Sequence, residues 1–475
     1  MLAKLSIKTL MIIAAAVGGQ NVFGQTQADQ IGKNALLDLS ARVAEGDRFT
    51  LSQALKAGLR DNPQVKIAQS MVRSAKENYN SQKSPINPTL SYSALNNTVA
   101  PISYADGFAL GSNYSMYWTL ETNGANRYRT RQAHELFQQA QFDSASTQLS
   151  LKLNIINAYV GLQVSNQALE VELKVYDNVK KLSVLTQKRF ETGAGPQADA
   201  TRAKIAEIEE QQNVITFIAN VNQARATLNT QLGRPQVLPV DVADPLTYRP
   251  ITTTGLIALL DQAKRDRPEL QSARANLRSL QAIPGLEKSA YFPNVVLAKD
   301  FGSDGQTFIG LSVPIDLGGI RGSVAKAKSD IKTQEAQIDL QSQSIDLDVR
   351  TCFINFEAAR KQVASYESGI LQMSETLQNQ VRQGYELGSN TIVDILTAEN
   401  TYRSVQSAYH AAVGAFLIAA YNLKHSIGEL PDSFQTEPFT NIGKEATTIS
   451  PQSSISPDLL NSSSQSVEND SNGPQ

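Results

Sequence analysis

Tyr114-Ser115-Met116-Tyr117-Trp118-Thr119-Leu120 is the stretch whose pattern decides how the rest of the chain is read. Tyr114, Met116, Trp118 and Leu120 alternate with Ser115, Tyr117 and Thr119, and a pleated strand sends the two sets to opposite faces. Upstream, Pro88 introduces residues 89–95, in which Leu90, Tyr92 and Ala94 alternate with Ser91 and Ser93. Further on, Ile309, Leu311 and Val313 alternate with Gly310 and Ser312, while Val295, Leu297 and Phe301 make a weaker strand interrupted by Lys299. Each run is near the ~9–11 residues that cross a bilayer at a tilt. Tyr92, Tyr114 and Trp118 suit the membrane interface. Four strands cannot close a transmembrane barrel, which needs at least about eight. Two chains would give eight, a barrel whose interior side chains largely fill, whereas three would give twelve and a lumen. A homotrimer is the expectation.

Between these strand pairs lie unusually long helical patterns. Residues 125–192 contain no proline and one glycine, Gly161. Leu151, Ile155, Leu162, Leu169, Leu173, Tyr176, Val179 and Leu182 recur mostly at spacings of three, four and seven, which predicts one apolar seam. Such a helix would run about 100 Å at 1.5 Å per residue. A second pattern covers residues 323–387, with Ile345, Cys352, Phe356, Val363, Ile370, Met373 and Leu377 as its seam. Stripes of this kind fit any coiled coil, with or without a transport role.

The chain also repeats itself. Asp61-Asn62-Pro63-Gln64 returns as Asp266-Arg267-Pro268-Glu269, and Pro88 as Pro293, both 205 residues on. Phe190-Glu191-Thr192-Gly193 returns as Tyr385-Glu386-Leu387-Gly388, now 195 residues on, and Asp199 with Asp394 and Gly233 with Gly428 keep that offset. The shortening places an insertion in the first copy, at the Asn-, Ser- and Gly-rich residues 96–113. The expected organisation is a signal peptide over 1–24, a polar segment over 25–48, one repeat over 49–247, a second over 252–430, and a disordered tail over 431–475.

The signal peptide is read from Lys4 and Lys8, the apolar run over 10–17, and a cut after Gly24. The single cysteine, Cys352, is far from that cut, so no lipid anchor on cysteine is expected. No mature stretch reaches the ~18 apolar residues of a spanning helix, so any crossing must be made by strands.

Charge and chemistry narrow the function classes. Lys and Arg number 43 against 45 Asp and Glu, which gives no field for nucleic acid. His134, His410 and His425 lack partners at metal-ligand spacing, so no metal and no cofactor is expected. Neither a phosphate loop nor a nucleophile turn is present, which argues against an enzyme. The rival to a channel is an elongated coiled-coil structural or adhesive cell-surface protein without conductance.

Arg267-Pro-Glu-Leu-Gln-Ser-Ala-Arg-Ala275, Leu311-Ser-Val-Pro-Ile-Asp-Leu-Gly-Gly-Ile-Arg321 and Tyr385-Glu-Leu-Gly-Ser-Asn-Thr-Ile-Val-Asp394, with the tandem repeat, resemble the TolC-like outer-membrane efflux proteins. The resemblance implies an α+β membrane protein in which each chain gives four strands to a trimeric twelve-stranded outer-membrane barrel. It further implies a periplasmic α-barrel of long helices, docking to a periplasmic adaptor and an inner-membrane pump, and efflux of small molecules or type I protein secretion.

Individual positions fit that frame. Pro314, Gly318 and Gly319 stand where strand must turn into helix. Gly193 and Gly388 suit left-handed helix ends, so Gly193, Gly195, Gly388 and Ser389 form the helix-tip turns where an adaptor would dock. Asp199 and Asp394 open the returning helices, where carboxylates suit the N-terminal dipole. The family gate carries a tyrosine, an arginine and two aspartates at the second tip. Tyr385 and Asp394 match, while Asn390 replaces the arginine and Thr397 the second aspartate. Asp199 matches the acid that the gate engages from the first tip. A Tyr385–Asp199 hydrogen bond with a single ring of Asp394 carboxylates is the expected remnant. Pro284-Gly285 should kink or break its helix.

Overall fold

The computed structural model describes residues 47–84, 86–93, 113–251, 253–300, 307–312 and 317–429. The expected signal peptide, nearly all of the polar segment, insertion residues 96–112, Pro314 and the 431–475 tail lie outside the described residues.

The chain begins with strand β1 (Asp47–Phe49) and helices α1 (Leu51–Asp61) and α2 (Pro63–Gln82). Thr50 starts α1 through a capping box, its hydroxyl accepting from the Gln53 N–H while its own N–H donates to Gln53 Oε1 at 3.0 Å. Asn62 then divides α1 from α2. It precedes a proline, which holds it in extended conformation, and its side chain accepts from the Gln64 N–H at 2.8 Å. Arg267 plays the same dividing part between α5 (Leu256–Asp266) and α6 (Pro268–Ser289), again just before a proline at the first helical position. Two helices thus precede each strand pair.

Strands β2 (Ile86–Ser93) and β3 (Asn113–Leu120) pair antiparallel, as do β5 (Asn294–Asp300) and β6 (Thr307–Ser312). Trp118 faces Leu297 across the β3–β5 junction, so the hairpins join in one sheet ordered β2-β3-β5-β6. Among the described residues β2 and β6 have one strand neighbour each. On β6, Ile309 and Leu311 are 77% and 72% exposed on one face. A further strand, β4 (Val240–Val242), pairs in parallel with β1, a contact the alternation pattern did not reveal.

Helix α3 (Ala125–Glu191) has 67 residues, ending one residue from the sequence estimate. The glycines that bound it, Gly124 and Gly193, both adopt positive φ. It packs against α2, α4 (Gln197–Leu232), α6 and α9 (Ile392–Ser426). The second long pattern divides into α7 (Leu317–Ser365), a π-helical turn (Tyr366–Ile370) and α8 (Leu371–Glu386). Gly369, at φ 142°, breaks the regular ladder there.

Several expectations change. Leu151, Ile155, Leu162, Leu169, Val179 and Leu182 are buried, but Leu173 is exposed. On the second pattern Ile345, Phe356 and Val363 are buried, whereas Ile370, Met373 and Leu377 are exposed. A straight helix drifts ~20° per heptad from a strict seven-residue repeat, so one extrapolated seam leaves the true contact line. Pro284 does not break α6, which continues to Ser289. Beside it, Gly285 leaves room for Tyr128, whose ring would lie 2.3 Å from a Cβ at that position. Gly318 and Gly319 lie in the first turn of α7.

The main core lies where α1, α3, α4, α5, α7 and α9 meet. Tyr159, Tyr421, Phe356 and Phe416 fill it, with Phe356 and Phe416 rings 5.5 Å apart. The buried Tyr159 hydroxyl sits 2.9 Å from the Phe49 carbonyl and 2.8 Å from Asp244 Oδ2, anchoring the small β1–β4 ribbon to α3.

Candidate functional site at the helix tips

Two hairpin tips, α3–α4 and α8–α9, lie at the end of the helices remote from the sheet. Each long helix closes by the same hydrogen-bond scheme. Gly193, at φ 73°, donates to the Phe190 carbonyl at 3.0 Å while Ala194 donates to Arg189 at 2.7 Å. Gly388, at φ 80°, donates to Tyr385 at 3.1 Å while Ser389 donates to Gly384 at 2.8 Å. This double closure satisfies orphan carbonyls and requires a residue tolerant of left-handed backbone. The glycines therefore sit at their expected helix ends. Gly195, in the first loop, is half-buried against Arg189.

The returning helices start differently. Pro196 precedes α4, and Asp199 lies in its first turn with Arg202 3.8 Å away. Thr391 caps α9 in a capping box with Asp394. Asp394 Oδ2 accepts from the Thr391 N–H and from its hydroxyl, each at 2.8 Å. Those two donors hold the exposed Asp394 carboxyl below the usual carboxylate range. Thr397, also exposed, donates its hydroxyl to the Val393 carbonyl at 2.8 Å.

Tyr385 turns inward. It is 6% exposed and packs with Leu182, Ala203, Ile392 and Ile395, residues drawn from all four helices of the two hairpins. The Arg189 guanidinium stands 4.9 Å from the centre of its ring, and an Arg189 N–H reaches the Glu386 carbonyl at 3.4 Å. Tyr385 and Asp199 line one crevice of about 390 Å³, together with Arg189, Arg202 and Asn390. The expected Tyr385–Asp199 hydrogen bond is not formed, since Asp199 faces Arg202 while Tyr385 faces Arg189. Asn390 pins its own loop by donating to the Val381 carbonyl at 3.2 Å.

Sequence reasoning placed the tips and missed Arg189. It sought the cation at the second tip, where the family pattern has it, although Lys188-Arg189 ends α3 four residues before Gly193. Above the tips it also missed a buried polar layer. Glu399 accepts from Gln378 and Arg382 at 2.8 Å each, and Arg403 bonds Glu210. Nothing in a one-dimensional pattern pairs residues so far apart.

The family description "outer membrane efflux protein" matches residues 54–234 and again 259–429, more than half of the chain. The chain is similar to the outer membrane protein TolC of Salmonella enteritidis, 24% identical over 450 residues, covering 88% of this chain and 89% of that protein. It is also similar to the toluene efflux pump outer membrane protein TtgC of Pseudomonas putida, 23% identical, covering 80% and 82% respectively. Among solved structures, the open state of the Neisseria gonorrhoeae MtrE outer membrane channel superposes with a TM-score of 0.66 at 18% identity, covering 81% of this chain and 91% of that one.

Proposed function

Because the chain belongs to the outer membrane efflux protein family, we propose that three copies form an outer-membrane exit channel gated at the helix tips. The observation that carries this reading is the sheet. Among the described residues its order β2-β3-β5-β6 leaves an edge at each end, and an unpaired edge is a template for another strand. Joining β6 of one copy to β2 of the next would close twelve strands around a lumen. The exposed Ile309 and Leu311 would then face lipid.

In this assembly the two tips of each copy would converge on the periplasmic end. Asp394 carboxylates, three by symmetry, would form a ring favouring cations. Gly193, Gly195, Gly388 and Ser389 would present the tip backbone to a periplasmic adaptor, itself bound to an inner-membrane pump. An N-terminal signal would direct export, and residues 25–48 would lead into the first repeat. The cargo is a small molecule or a secreted protein.

The test is cross-linking and planar-bilayer recording of the purified full chain. A cross-linking ladder that ends at trimer, together with discrete conductance, is expected. Monomers or dimers that never conduct would overturn the reading in favour of the coiled-coil surface protein.

A further inference from the structure

Glu172 is 1% exposed, yet neither of its carboxylate oxygens has a hydrogen-bond partner among the described residues. An ionised carboxylate so placed is strongly destabilised unless it is paired or takes a proton. Its neighbours come from two other helices. Glu210 reaches it from α4, and Arg403 reaches it from α9, with Arg403 Nη1 3.6 Å from Glu172 Oε1.

Arg403 is committed elsewhere. Its Nη1 lies 2.9 and 2.7 Å from the two Glu210 oxygens, and its Nη2 donates to Asn400 Oδ1 at 2.7 Å. One guanidinium thus serves two carboxylates and favours Glu210. Among the described residues, the remaining neighbours do not supply a second cation. On α3, Lys174 is exposed and pairs with Glu170 at 2.9 Å. On α4, Asn213 donates to Glu210 rather than to Glu172. On α9, burial holds the Tyr402 hydroxyl protonated well above neutrality. On α8, Arg382 and Gln378 are used by Glu399.

We propose that Glu172, Glu210 and Arg403 form a proton-controlled latch that holds α3 against α4 and α9, closed when the carboxylate pair shares a proton and loosened when it does not. With the proton present, the layer is one neutral carboxyl, one carboxylate and one guanidinium, and its charges balance. Without it, two buried carboxylates oppose each other across the joint between α3 and α4, with a single cation between them. The repulsion is relieved only by separating helices or admitting water. Burial and Glu210 push the Glu172 carboxyl up to about 7, against the opposing pull of Arg403, so the change falls near neutral pH.

The latch couples to transport only if the tips are the gate, so this inference rests on the proposed channel for its functional effect. Its geometry can be tested separately. Spin labels at Leu173→Cys on α3 and Glu209→Cys on α4, in a Cys352→Ser background, report the helix separation in the purified full chain. The separation should grow as pH rises through about 7. Glu172→Gln should hold it at the acid value at every pH, and Arg403→Gln should move the transition to higher pH, because the opposing pull of the guanidinium is lost. If Glu172→Gln yields no folded protein, Glu210→Gln serves, because it leaves a single carboxylate beside Arg403 and should likewise hold the acid separation through neutral pH. A native pH profile retained in these variants, or a native separation that ignores pH, overturns the latch.

Bilayer conductance is then read on the same proteins. An open fraction rising with pH by at least about fivefold, a typical lower bound for coupled sites, and abolished by Glu172→Gln, ties the latch to the gate. Label movement without any conductance would uphold the latch and defeat the channel reading.

Discussion

The guanidinium of Arg189 lies over the ring of Tyr385, joining the last turn of α3 to the last turn of α8 across the crevice between the tips. A cation on an aromatic face contributes ~0.5–1 kcal/mol when exposed and about 2 when desolvated. Arg189→Ala should therefore shift the balance between joined and parted tips by roughly two- to thirtyfold. In bilayers this would appear as a higher open fraction, with Arg189→Lys retaining part of the native behaviour. An unchanged open fraction in Arg189→Ala would show that the contact does not hold the tips.

Asp394 separates two roles that coincide in one side chain. Asn at this position still accepts from the Thr391 N–H, so Asp394→Asn should keep the start of α9 and lose the charge. Cation preference should fall while the melting temperature barely moves. The carboxyl is held below its ordinary range by Thr391, so its ionised form persists as pH falls until that lowered value is crossed. Native cation preference should accordingly survive to below about pH 4. Selectivity unaffected by the substitution would remove Asp394 from the pore.

The positive-φ glycines are not equivalent. At Gly193 a Cβ meets nothing within 4 Å, so alanine brings only the cost of left-handed backbone, about 1–2 kcal/mol. At Gly233 a Cβ would lie 2.9 Å from the Asn62 Cα, and at Gly428 it would lie 3.0 Å from the Asp266 carbonyl carbon. Gly233→Ala and Gly428→Ala should lower thermal stability distinctly more than Gly193→Ala. Equal losses in calorimetry would contradict the close approach at these two elbows.

Leu311→Arg puts a charge on the exposed face of β6. At a bilayer midplane such a change costs ~2–4 kcal/mol. Recovery of trimer from outer membranes should drop, whereas Gly310→Ser, on the opposite face with nothing within 4 Å, should be silent. Equal recovery of both variants would show that this face does not meet lipid.

Element ends were more legible in the sequence than contacts between elements. α3 could be bounded because proline is absent from it and glycines in left-handed conformation flank it, both local effects. The π-helical turn at Tyr366–Ile370 escaped notice because Ser368-Gly369 inside a helical pattern is ordinarily tolerated. The seam failed at Leu173 and Met373, where a helix with several partners turns its face from one to another. Tyr385 was named for its place in a motif, but its partner Arg189 lies 196 residues earlier and only the fold joins them. The cluster of Glu172, Glu210 and Arg403 was invisible for the same reason.

The length of α3 has a mechanical meaning. Its 67 residues span about 100 Å, anchored near Tyr159 and reaching the tip contact at Arg189. Turning the arm of about 45 Å from Tyr159 to Arg189 by one degree carries its far end about 0.8 Å, by the same rise per residue. A core substitution that tilts α3 slightly would thus be magnified into a lost contact at Tyr385, so the precision of the tip is set in large part by packing far away from it.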